Sequence, residues 1–82
     1  MNVKVYSTPG CPWCKVAKDF LESHHINFEY IDVSVDENAA KTMIKKSGQM
    51  GVPVIEIDDQ IVIGFNKQVI EELLGISEPN NE

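Results

Sequence analysis

Cys11 and Cys14 are the only cysteines in this 82-residue chain, and Pro12 and Trp13 separate them. Two intervening residues put thiols one helical turn apart with Cα atoms about 5 Å from each other, inside the span that a disulfide tolerates. Such a pair closes and opens with little backbone movement, as thiol–disulfide exchange requires. A disulfide across so short a loop constrains the unfolded chain little, so a purely structural role gains almost nothing. A closed zinc site needs four ligands. Besides the two thiols the chain offers His24 and His25, and a helix running from Cys14 to His24 puts the imidazoles about 15 Å away along its axis. One chain therefore does not close a tetrahedral site. Two chains sharing cysteines would still make an iron–sulfur or other metal-binding module, and this stays open as the alternative function.

The thiolate, not the thiol, attacks a disulfide. Proline suits the first position of a helix, where its missing N–H costs nothing, so Pro12 makes Cys11 the N-cap. The Cys11 sulfur then faces the free N–H groups of Trp13 and Cys14, at a helix end that favours negative charge. Cys11, at the exposed tip, attacks a substrate disulfide; Cys14, one turn inward, attacks Cys11 and releases the reduced product. Trp13 lies between them as a rim aromatic, a suitable contact for a protein partner.

The elements that must position this pair follow from periodicity. Val3, Val5 and Tyr6 form a first strand, and Ser7-Thr8-Pro9-Gly10 a turn. Val16, Ala17, Phe20 and Leu21 recur at helical spacing, with Lys15, Lys18, Asp19 and Glu22 on the other face. His24 and His25 close that helix at its negative end. Residues 28–33 are β-branched and aromatic, a second strand reached by a parallel βαβ crossover. Asp36 caps a second helix with Ala40, Met43 and Ile44 facing the core. Residues 47–51 make a loop, Val52-Pro53-Val54-Ile55-Glu56-Ile57 leads into a third strand, and Asp58-Asp59-Gln60 turns into Ile61-Val62-Ile63. After Gly64, Asn66 caps a last helix burying Val69, Ile70, Leu73 and Leu74, and Gly75 ends it. The order βαβαββα gives an α/β fold, a four-stranded mixed sheet flanked by three helices. Its first strand is internal, so the dithiol sits at that strand's C-terminal edge, where open α/β sheets place their chemistry.

Length bounds the chain to one domain, 1–76, with a flexible tail over 77–82. Seven lysines, no arginine and thirteen acids give a net charge of −6. That balance argues against nucleic acid or an anionic membrane as partner, since both need a basic face. No apolar stretch approaches the roughly 20 residues that span a bilayer. The first seven residues do not read as a signal peptide, so a reducing cytoplasmic setting is expected, where a vicinal dithiol reads as catalytic. With no long apolar surface stripe left over, a monomer is expected.

Cys11-Pro12-Trp13-Cys14 after a first strand, Val52-Pro53 about forty residues on, and Gly64-Phe65 before the last helix resemble a glutaredoxin or its relative, the NrdH-redoxin, from Val3 to Leu74. The resemblance implies a thioredoxin fold and Cys11 as nucleophile with Cys14 as resolving thiol. It also implies a cis peptide before Pro53 that exposes the Val52 backbone to an incoming peptide. The implied substrate-binding residues are Pro12, Trp13, Val52, Pro53, Gly64 and Phe65. Glutaredoxins usually carry a cation shortly before the first cysteine and a double glycine with an aspartate before the last helix, both holding glutathione. Here Ser7-Thr8-Pro9-Gly10 supplies no charge, and Gly64-Phe65-Asn66-Lys67 is nearer the NrdH-redoxin turn. The expected cofactor is therefore only the redox-active Cys11–Cys14 disulfide, and the expected substrates are protein disulfides. Electrons are expected from a thioredoxin-reductase-like flavoprotein, with glutathione as the other possible source.

Overall fold

A computed structural model describes residues 2–75 of the chain. Strand β1 (Val3–Ser7) leads to helix α1 (Pro12–Ser23), strand β2 (Glu29–Asp32) and helix α2 (Glu37–Ser47). Strands β3 (Val54–Ile57) and β4 (Gln60–Ile63) and helix α3 (Lys67–Leu74) follow. The sheet order is β2-β1-β3-β4. β1 pairs in parallel with β2 and antiparallel with β3, and β3 pairs antiparallel with β4. The expected βαβαββα order and internal first strand are what the fold shows. The boundary at 76 and the tail over 77–82 lie outside the described residues.

Alternation along the strands divides the core in two. Val3, Val5, Ile55, Ile57 and Val62 point to one face and meet Ala17 and Leu21 of α1 and Ile70 of α3. Tyr6 and Val54 point to the other and meet Met43 of α2. Period-2 side-chain alternation against period-3.6 helices is what places helices on both faces. On the α2 side, the Tyr6 hydroxyl donates to Glu56 Oε1 at 3.2 Å, and Lys46 Nζ lies 2.8 Å from Glu56 Oε2. Glu56 is only 8% exposed, so these two donors supply the partners that a buried carboxylate needs. Burial, with the nearby Glu56 charge, pushes the Tyr6 hydroxyl above its ordinary range.

Several local expectations shift. Ser7 does not belong to the turn: it is the buried last residue of β1, paired with Asp32. β2 is one residue shorter at each end than the apolar run. Met43 is the buried residue of α2, and Ile44 is exposed while Ala39 packs inward. Successive helical residues turn by about 100°, so a stripe centred on Met43 carries Ala39, one turn back, and leaves Ile44 on its rim. The same geometry exposes Val16 of α1 beside buried Ala17. In α3 only Ile70 is fully buried; Val69, Leu73 and Leu74 pack at the margin. α2 ends on Gly48, whose φ of 77° lies where a side chain is disfavoured.

Candidate active site

Helix α1 begins where proline predicts. Cys11 is the N-cap with extended backbone, and Pro12 opens the helix. The backbone N–H of Cys14 donates to the Cys11 sulfur at 3.1 Å, which satisfies one of the helix's free amides. Of the two amides expected to face that sulfur, this is the one whose hydrogen bond the described residues show. Cys11 itself is anchored from behind, its N–H donating to the Thr8 carbonyl at 3.3 Å. The two sulfurs differ sharply in setting. Cys11 is partly exposed, whereas Cys14 is fully buried. Burial pushes the Cys14 thiol up to about 12; its hydrogen bond with Cys11 and the Cys11 charge add to the rise, and a Thr8 backbone contact opposes it. A thiol so placed keeps its proton at neutral pH.

The residues singled out at a distance in sequence converge beside this pair. The Val52–Pro53 peptide bond is cis. The Gly64 N–H donates to the Pro53 carbonyl at 2.8 Å, which ties the start of β3 to the end of β4. That tie brings Phe65 under Trp13, with ring centroids 6.2 Å apart and planes 22° from parallel. Phe65 also meets Phe20 edge-on at 5.6 Å, which seats the stack on α1. Trp13, Val52, Pro53, Gly64 and Phe65 together line a groove of about 270 Å³ without a charged side chain. Pro12 is exposed at the head of α1.

The glutaredoxin family model matches residues 3–62. The chain belongs to the glutaredoxin family. This glutaredoxin is 47% identical over 72 residues to a glutaredoxin-like 8.6 kDa protein in the rubredoxin operon of Clostridium pasteurianum, covering 88% of this chain and 96% of that one. It is 43% identical over 65 residues to glutaredoxin 3 of Escherichia coli K12, covering 77% of this chain and 76% of that one. It superimposes on NrdH-redoxin from Escherichia coli, described as a glutaredoxin-like protein with a thioredoxin-like activity profile. That match has a TM-score of 0.79 at 27% identity and covers 89% of this chain and 95% of that one. Family and fold together make the chain a thiol–disulfide oxidoreductase of the thioredoxin superfamily, working through a redox-active cysteine pair.

A second groove escaped the sequence reading. Ser7, Thr8, Pro9, Cys11, Lys15, Lys18, Tyr30 and Asp32 line a groove of about 380 Å³ that includes Cys11. Tyr30 and Asp32 join the groove that contains Cys11 because β2 pairs in parallel with β1, Ser7 lying opposite Asp32. Nothing local in residues 28–33 signals that position. Among the described residues, no group of three or more His, Cys, Asp or Glu side chains is placed to hold a metal ion. His24 packs against Phe20 at 4.6 Å instead.

Proposed function

We propose that the glutaredoxin reduces protein disulfides, with Cys11 as nucleophile and Cys14 as resolving thiol, and donates electrons to a partner enzyme. The observation that carries this reading is the unequal setting of the sulfurs: one partly exposed at a helix cap, the other buried behind it, where burial favours the protonated thiol. Cys11 attacks one sulfur of the substrate disulfide, forms a mixed disulfide and expels the other substrate sulfur as thiolate. Once Cys11 is in that bond, its hydrogen bond and charge no longer add to the burial that favours the protonated Cys14 thiol. Cys14 then passes its proton to the substrate thiolate already expelled, attacks the Cys11 sulfur and expels the second substrate sulfur as thiolate. Two electrons pass to the substrate, and the Cys11–Cys14 disulfide remains. The uncharged groove of Trp13, Val52, Pro53, Gly64 and Phe65 receives the substrate chain, and Pro12 sets the helical start that holds Cys11.

For the return electrons the reading favours a thioredoxin-reductase-like flavoprotein over glutathione, in a cytoplasmic setting. No cation stands between Ser7 and Gly10, and Asn66 and Lys67 replace the acidic residue expected of a glutathione site. The NrdH-redoxin match supports the same choice.

Trapping tests both statements. The Cys14→Ser variant is expected to retain substrate proteins as covalent adducts on Cys11 and to lose turnover by roughly 100-fold or more, since only the first attack survives. With the intact protein, NADPH and a thioredoxin reductase should sustain reduction of insulin disulfides, while glutathione with glutathione reductase alone should not. Efficient turnover by the glutathione system would reverse the electron-source assignment without touching the cysteine roles.

A further inference from the structure

Resting on the protein-disulfide reading, we infer that the groove of Lys15, Lys18 and Tyr30 selects disulfides whose neighbouring residues are acidic. The two flanks of the dithiol differ in chemistry. On the Trp13–Pro53 side no charged residue lines the surface. On the other side Lys15 and Lys18, one turn apart on α1, line the groove that contains Cys11 itself. Neither lysine is in an ion pair among the described residues, and Lys18 Nζ is held 5.6 Å above the Tyr30 ring centroid. The one carboxylate in the groove, Asp32, accepts hydrogen bonds from the Ser34 N–H and hydroxyl, at 2.9 and 2.5 Å. These bonds hold it in the turn after β2 without removing its charge, and with two lysines against one carboxylate the groove still carries a net positive charge.

The local sign thus opposes that of the molecule. A chain of net charge −6 repels acidic partners at long range, yet presents two cations where the reacting sulfur lies. Charges at the rim of an encounter surface act mainly on the association rate and on the choice among partners. A substrate with acidic residues beside its cystine gains these two contacts only when that cystine is presented to Cys11. Basic substrates are drawn by the net charge and then meet like charge at the site, so docking discriminates against them locally.

The test is single-turnover reduction of three cystine-bridged peptides by the reduced protein, identical except for acidic, uncharged or basic residues flanking the cystine. Each turnover breaks one peptide S–S bond and converts Cys11 and Cys14 to a disulfide, so no other reductant enters. At low ionic strength the acidic peptide is expected to react about tenfold faster than the uncharged one, a modest steering effect. The basic peptide is expected to be slowest. Both the doubly substituted Lys15→Gln/Lys18→Gln protein and about 0.5 M salt should bring the acidic-to-uncharged ratio close to one. Using the ratio cancels any change in the reactivity of Cys11. A ratio near one in the unsubstituted protein, or one that survives both treatments, overturns the inference while leaving disulfide reduction intact. Failure to reduce any of the peptides overturns the underlying reading as well.

Discussion

Cys14 has no exposed surface, and Cys11 stands partly open at the head of α1, so a small alkylating reagent reaches the two at different rates. The expectation at neutral pH is modification of Cys11 first, with Cys14 protected until the fold opens; peptide mapping by mass spectrometry reads the order. Comparable labelling of both sulfurs would contradict their assigned roles. The raised Cys14 thiol also couples stability to pH. In the unfolded chain it ionises near its ordinary value of 9.0, whereas in the fold it keeps its proton to about 12. Above pH 9 the unfolded state therefore binds fewer protons than the folded state, and the reduced protein loses stability as pH rises toward 12. Tyr6, raised by burial, acts in the same direction at higher pH. Urea unfolding between about pH 8 and pH 10.5 should show the decline, and Cys14→Ser should flatten it. An unchanged slope in that variant would remove Cys14 as its cause.

Helix starts were legible because they are set within four residues. Cys11, Asp36 and Asn66 each accept from a backbone amide three residues on, from Cys14 at 3.1 Å, Ala39 at 3.0 Å and Val69 at 3.3 Å. Removing the side-chain acceptor in Asp36→Ala should cost about 1 kcal/mol, the usual worth of such a cap. A chemical denaturation midpoint unchanged by that substitution would show that α2 is held by packing alone. Which helical face turns inward was less legible. Val16 and Ile44 are apolar and adjacent to buried positions, yet both are exposed. A one-residue neighbour in a helix is rotated by about 100°, enough to move from the core to the rim. Apolar type marks the stripe, but where its centre falls depends on what the opposing strand offers.

Across the whole molecule, stability rests on the sheet between two helical layers. Ile55 lies on a strand paired on both sides and packs toward α1 and α3 with no exposed surface. Ile55→Ala should therefore cost about 2–5 kcal/mol, a large share of the roughly 5–15 kcal/mol that holds a domain together. Val16→Ala, at a position 41% exposed, should shift stability by no more than about 0.5 kcal/mol. Urea midpoints of the two variants measure the contrast, and equal losses would contradict the observed packing.

The amino-acid order was sufficient for the dithiol, its helix cap, the element sequence and the family, because each depends on short spacing or on periodicity along one segment. Tertiary structure alone decided the two flanks of Cys11. Gly64 meets Pro53 through the β3–β4 hairpin, and Tyr30 and Asp32 arrive through a parallel pairing with β1 that closes over more than twenty residues. Strand register set between distant segments leaves no local trace, so the lysine-bearing groove beside Cys11 becomes visible only when the sheet is assembled.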